Sequence, residues 1–429
     1  MSSFLFISRK RFIIAISGIV FVGLCIFFFA RHTTVFENVT MQEKTSDATS
    51  SQETSLSSNT DAPLQKQLEH PPHVIKALYL SSWSAGLGSR VAMALSLARE
   101  EKINAVVIDI KDSSGYIAYP ISDNAVAQYD AFERRIPHIN SLIKTFHNAN
   151  IYIIGRISSF QDPVLAKKHP EFAIHDTRRL NEPNNFNSEQ SLWEDNKGLY
   201  WLDPSSRPVW DYLAAISNDA IARGFDEVNF DYIRFPSNGE LEAMAFPVWN
   251  ASQTKAGAIR SFFSFIRDTL GNKGVPLSAD LFGLVTVSND DLGIGQKIED
   301  AYEYFDYVCP MVYPSHYANG FIGYQNPANY PYEVVTYSLK GAFQKLIAFA
   351  QGVTTSTPIA SSSSIVIDKE LQEKISRVGK LRPWLQAFDM GARYDNAAIK
   401  AQIKASEDVL GDNFVGYLLW DPSNNYRDL

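Results

Sequence analysis

The stretch GFDEVNFDYIRFP, residues 224–236, reads as a β-strand carrying an unusual load. By the two-residue period of a strand, Asn229 and Asp231 fall on one face and Val228, Phe230 and Tyr232 on the other. A strand buried on both faces has no structural need for a carboxylate near its C-terminal end, because an ionised group there must be paired or solvated. Asp231 therefore marks either a working site or a buried ion pair with Arg156 or Arg234.

Seven further runs of strand character accompany this one: Val74–Trp83, Ala105–Asp112, Ile151–Ile157, Val275–Gly283, Phe305–Tyr313, Arg382–Asp389 and Phe414–Asp421. Periodic segments with helix start and stop signals lie between them. One opens with Ser206 and Pro208 and closes at Gly224; another spans Ala258–Ile266 and ends at Gly271. Strands alternating with helices imply a parallel sheet, and eight such units predict an α/β fold of the (β/α)8 TIM-barrel type. A doubly wound open sheet is the competing architecture. It would carry a Gly-rich phosphate turn after the first strand, and the glycines of SSWSAGLGSR have the wrong spacing. The longest insertion, Ser158–Arg207, follows the third strand and is expected over the barrel mouth, with Trp201 and Asp203 available as subsites. A second, Gln351–Gly379, precedes the seventh strand.

The N-terminus has a different character. Phe12 to Ala30 is free of charge and long enough to cross a bilayer, and Arg9, Lys10 and Arg11 precede it, which keeps the N-terminus cytoplasmic. Residues 1–32 are thus expected to be a basic stub and transmembrane anchor, with a cleaved signal peptide and secretion as the alternative. Residues 33–72, rich in Ser, Thr and Gln, read as a disordered linker, and 73–429 as the barrel, placed outside the cytoplasm. The net charge of −8 and the lack of a Lys/Arg block in the barrel argue against a nucleic-acid partner. Cys25 and Cys309 both read as free thiols.

In such barrels the active site lies at the C-terminal ends of the strands. With the most apolar face of each run turned outward, the lumen receives Ser81 and Trp83, then Asp109 and Lys111, then Arg156. Asn229, Asp231, Ser278, Asp280, Tyr313, Gln386 and Trp420 follow, with Arg234, His316 and Asp421 just beyond the strand ends. No His/His/carboxylate cluster suggests a metal, no Gly-x-Ser-x-Gly turn suggests a serine hydrolase, and no cofactor is implied. Carboxylates, aromatic faces, an Arg and a Lys are the equipment of sugar chemistry. Asp231 and Asp280 are the candidate catalytic pair, with Asp109 competing for the second place. Trp83, Asp109, Lys111, Arg156, Asn229, Arg234, Tyr313, His316, Gln386, Trp420 and Asp421 are the candidate substrate-binding residues.

The motifs GFDEVNFDYIRFP, VVIDIKDSSGYIAY, SADLFG, CPMVYPSHY and GYLLWDPSN together resemble the glycosyl hydrolase barrel family catalogued as a domain of unknown function, over residues 73–427. That resemblance implies a (β/α)8 fold and a polysaccharide or oligosaccharide substrate. More distantly, the fourth strand is similar to the chitinase signature Asp-x-x-Asp-x-Asp-x-Glu. Asp226, Asn229 and Asp231 then occupy the acidic positions, but Ile233 stands where the proton-donating Glu belongs. The expected activity is hydrolysis of an extracytoplasmic polysaccharide; a non-catalytic carbohydrate-binding barrel is the alternative, and a lyase or transferase using the same groove stays open.

Overall fold

A computed structural model describes residues 60–182, 185–353, 367–426 and 429. Eight parallel strands form a closed ring: β1 (Ile75–Leu80), β2 (Ala105–Lys111), β3 (Tyr152–Ser158), β4 (Glu227–Asp231), β5 (Leu277–Phe282), β6 (Tyr307–Met311), β7 (Lys380–Leu381 and Trp384–Gln386) and β8 (Gly416–Trp420). β8 returns to β1 through Ile75↔Gly416, and β6 meets β7 through Trp384↔Met311, which closes the barrel. This is the (β/α)8 architecture expected from the alternation of elements.

Among the described residues, eight helices of seven or more residues accompany the ring: α1 (Gly88–Arg99), α2 (Ile139–Asn148), α3 (Arg207–Arg223), α4 (Lys255–Leu270), α5 (Ile298–Tyr304), α6 (Pro331–Ala350), α7 (Lys369–Ser376) and α8 (Asn396–Leu410). Local chemistry sets their ends. α3 has Pro208 in its first turn, where the missing N–H is no loss, and stops at Gly224, whose φ of 102° suits a left-handed C-cap. Thr254 caps α4 by accepting from the Gly257 amide, and Asp395 caps α8 in the same way.

Alternation splits the core in two. Outward side chains such as Val106, Ile108, Ile153, Val228 and Phe230 pack against the helices. Inward ones fill the lumen: Ile75, Ala77, Val107, Ile154, Cys309 and Leu418, with Leu68 against them. The lumen also holds a charged pair, Glu227 with Arg382, neither having any exposed side chain. Ser278 donates to Glu227 at 2.5 Å, and Arg382 lies over the Tyr307 ring at 4.1 Å.

The segment before β1 corrects the expected domain boundary. The disordered linker was expected to reach residue 72, yet residues 61–68 are bound to the barrel. The Asp61 carboxylate accepts from the amides of Asn140 and Ser141, both at 2.9 Å, so it caps α2 from outside. Gln65 and Gln67 donate to the Arg223 and Ile221 carbonyls at the end of α3, and the Leu68 amide donates to Asp226. The folded unit therefore begins near residue 60, because side chains of an otherwise polar segment satisfy helix ends that would be left open. The expected anchor, and the linker up to residue 59, lie outside the described residues. Among the described residues no helix is long and apolar enough to cross a membrane.

The Ser158–Arg207 insertion leaves the C-terminal end of β3, as expected. Bridges Gln161↔Trp201, Ala173↔Leu202 and Glu194↔Tyr200 fold it, and His175–Asp176 pairs with Met244–Ala245 from the loop after β4. Trp201 and Asp203 are buried. Asp203 accepts from the Val248 and Trp249 amides, so these two hold the insertion together and do not supply the subsites expected of them.

Candidate active site

Arg156 is the centre of the site. It is the fifth residue of β3, placed inward by alternation; β2 delivers Asp109 at its own height, and Asp231 and Asp280 stand on β4 and β5 two residues above that level. The register Asp109↔Arg156↔Asn229↔Ser278 puts β2, β3, β4 and β5 in line. Its Nη1 donates to Asp109 at 2.5 Å, its Nη2 to Asp231, and its Nε reaches Asp280 at 3.4 Å. Nε and Nη2 form one edge of a guanidinium, so Asp231 and Asp280 present their Oδ2 atoms to the same edge. A cation thus stands among three aspartates, and the buried ion pair of Asp231 with Arg156 that the sequence offered as one alternative is present.

The three carboxylates are not equivalent. Asp280 has no exposed surface; its Oδ1 accepts from Asn229 at 2.9 Å and from the Trp384 indole at 2.7 Å. Burial, together with the charge of Asp231, pushes the Asp280 carboxyl up to about 7, against the pull of Arg156. Asp109, 2 % exposed, accepts from the Tyr79 hydroxyl at 2.5 Å, and burial raises its carboxyl as well. Asp231 keeps 6 % exposure, the most of the three. Its Oδ1 accepts from the amide of Tyr232, a residue held at a φ of 53°, an uncommon backbone state for an aromatic residue. Asp231 is the carboxylate that a ligand at the mouth would meet.

Beside the carboxylates stands an aromatic wall. Tyr313 stacks on Trp420 with ring centroids 5.2 Å apart, Phe388 meets Trp420 edge-on at 5.0 Å, and His316 adjoins both Tyr313 and Phe388. His316 is open to solvent at the rim, yet crowding in the concave mouth and the charge of Lys197 push its imidazole down to about 4. It is neutral at physiological pH. The Lys197 effect also places part of the β3 insertion near the mouth.

The structure gathers Asp109, Arg156, Asn229, Asp231 and Asp280 into one network and Tyr313, His316 and Trp420 into the adjoining wall. Other expected positions need correction. Lys111 is fully buried in an ion pair with Asp162 at 2.9 Å, away from the network. The cause is a bulge: the register passes from Asp109↔Arg156 to Lys111↔Ile157, so Ile110 is an extra residue and turns Lys111 off the lumen face. Trp83 lies beyond the end of β1, on a short helix (Ser82–Ala85). It is 54 % exposed over Arg135, and its expected lumen place belongs to Tyr79. Gln386 is buried and holds the loop carrying His316, accepting from Ser315 at 3.1 Å and donating to Phe388 at 2.9 Å. Asp421 caps the turn after β8, accepting from Ser423 and Asn425. Arg234 lies at the mouth without pairing to Asp231 and packs against aromatic rings. Sequence reasoning missed Tyr79, Trp384 and Phe388. Tyr79 and Trp384 share the strand parity of chosen residues, and that parity was the available signal.

Fold and site together define a (β/α)8 barrel whose mouth joins clustered carboxylates to an aromatic wall. Residues 77–426 match the family described as "Putative glycosyl hydrolase domain", and the chain belongs to that family. Among solved structures, a hypothetical protein from Ruminiclostridium thermocellum is 37% identical, over 51% of this chain and 98% of its own, with a TM-score of 0.41. The PgaB (BpsB) glycoside hydrolase domain of Bordetella bronchiseptica is 11% identical over 82% of this chain and 95% of its own, with a TM-score of 0.52, a likeness of fold. Ega3 of Aspergillus fumigatus, in complex with galactosamine, is 11% identical over 83% and 96%, with a TM-score of 0.39. No curated protein matches the chain.

Proposed function

We propose that this barrel is a glycoside hydrolase that cleaves an extracytoplasmic polysaccharide, with Asp231 as the carboxylate that meets the sugar. The observation that carries the reading is the Asp231–Asp280 pair on one guanidinium edge, with Asp280 held protonated up to about pH 7. Near neutral pH such a pair holds one proton and one negative charge, the ionisation state that glycosidic cleavage uses. Hydrolysis adds a proton to the leaving oxygen and a hydroxyl to the anomeric carbon. Asp231, with its exposed edge, acts at the sugar; Asp280, sealed behind it, keeps its own proton and sets the charge of the pair, and water supplies both the proton and the hydroxyl that the cleaved bond takes up. Asp109 and Tyr79 steady Arg156, and the partly exposed Phe388 and Trp420, backed by buried Tyr313, offer apolar faces on which a pyranose ring can stack.

Placement outside the cytoplasm rests on the apolar run Phe12–Ala30 behind three basic residues. A carbohydrate-binding barrel without turnover is the second reading. It is favoured by the contact of Arg156 with all three aspartates and by Ile233, buried where the chitinase-type acid would stand. The test is release of reducing ends from a panel of polysaccharides by the full chain, beside Asp231→Asn. Turnover abolished by the substitution supports the hydrolase; binding with no turnover of any polymer overturns it.

A further inference from the structure

Among the described residues, three arginines have less than a tenth of their surface exposed: Arg135, Arg234 and Arg382. Arg135 pairs with Asp112 and Glu133, and Arg382 with Glu227. Arg234 alone has no carboxylate within ion-pair distance among the described residues. Its guanidinium lies over the rings of Trp201 and Phe282, 4.7 Å from each centroid, and over Tyr232 at 5.6 Å. Nη1 donates to the Phe235 carbonyl and to Ser237. Nε and Nη2 have no acceptor, and unlike the orphan nitrogens of Arg382 they are not sealed from solvent.

Its acidic neighbours are committed elsewhere. Asp231 is held by Arg156 and the Tyr232 amide. Asp195 accepts from Gln161 and Trp201 on one oxygen and from the Lys197 and Leu199 amides on the other. Burial depresses the basicity of Arg234, the sign of a cation that folding leaves uncompensated. Burying an unpaired charge is costly, and a site tolerates it where a partner arrives from outside. Arg234 lies three residues beyond Asp231, so that partner would arrive at the same mouth.

We propose that Arg234 is a specificity residue that receives a carboxylate of the substrate, which makes an acidic, uronic-acid-containing glycan the preferred class. The proposal rests on the glycoside hydrolase reading for what is bound there, while its own claim is one of charge. Planar donors on a rigid fork suit a carboxylate, and the aromatic box fixes the fork before the ligand arrives.

The experiment uses the full chain and matched probes: polygalacturonate, alginate and hyaluronan, each against the same polymer after carboxyl reduction. Binding is measured at low salt with Asp231→Asn, which prevents turnover, and with Asp231→Asn combined with Arg234→Gln. At least one acidic polymer is expected to bind tenfold or more tightly than its reduced form, with the preference lost in Arg234→Gln. Absence of any charge preference before Arg234 is altered overturns the proposal, and that arm does not depend on how the Arg234 variant folds. Persistence of the preference in Arg234→Gln also overturns it. Wild-type turnover of neutral polymers without acid preference would sink this proposal alone; acid-selective binding without wild-type turnover would sink the hydrolase reading alone.

Discussion

Asp231 has two attachments that respond differently to Asp231→Asn. The amide of Tyr232 can still donate to the remaining side-chain oxygen, and Arg156 keeps Asp109 and Asp280. The stability cost should therefore be about 1–2 kcal/mol by urea unfolding, below the ~3–5 kcal/mol of breaking an isolated buried pair. Turnover should fall by roughly 10²–10⁴-fold if the carboxylate acts in chemistry. A large stability loss with unchanged turnover would return Asp231 to a structural role. Asp280 yields a second expectation, in pH. Its carboxyl titrates near 7 in the folded protein and near its ordinary value when unfolded. The unfolded chain therefore gives up this proton first, and the Asp280 contribution to stability, complete below about pH 4, is lost as pH rises to about 7 and is constant above that. Asp280→Asn should flatten stability between those limits; an unchanged profile would show that the carboxyl is not raised. Much of this site was legible in sequence because alternation alone aligns Asp109, Arg156, Asn229, Asp231 and Asp280. Lys111 was misplaced because one extra residue, Ile110, cannot be seen in a pattern of apolar side chains. Glu227 shares the face of Asn229 and Asp231, so its lumen position was readable, but its partner Arg382 lies 155 residues away and no local pattern links them.

At the scale of elements, the strap before β1 is the least expected part. Its composition reads as linker because its value lies in caps, not in buried apolar area. Asp61 neutralises two open amides of α2, and Gln65 and Gln67 close α3. Asp61→Ala should cost about 1 kcal/mol, as the loss of a helix cap does. Deleting residues through 72 should cost more, since it also removes Leu68 from the lumen cluster. Equal melting temperatures for chains beginning at residues 60 and 73 would contradict this. Strands and long helices, by contrast, followed from periodicity. The exception is β7, which the sequence run places at Arg382–Asp389 but which pairs as Lys380–Leu381 and Trp384–Gln386, interrupted at Arg382 and Pro383. Aromatic residues were assigned to the lumen by strand end, so a strand that stops at Leu80 sent Trp83 to the rim.

For the whole molecule, we propose that residues 12–30 hold the chain at a membrane with the barrel outside the cytoplasm. Protease treatment of spheroplasts should then release a folded fragment that begins near residue 60, and recovery of the intact chain in the soluble cytoplasm would overturn the proposal. The barrel has one seam unlike its others. Between β6 and β7 the ladder lacks the donor of Pro310, and β7 itself is broken at Arg382 and Pro383; the amides of Lys380, Arg382 and Val312 still cross the joint to Asp306, Val308 and Trp384. A closed ring yields where one of its strands is broken, so local opening should begin there well below the global unfolding transition. Amide hydrogen exchange followed by mass spectrometry should find the amides that cross this seam, Lys380, Arg382 and Val312, exchanging faster than the ladder amides of β1 to β3. Trp384 also holds Asp280 through its indole. Mild urea or pressure should therefore silence the carboxylate pair while the rest of the barrel still protects its amides, making loss of activity the earliest reporter of the seam.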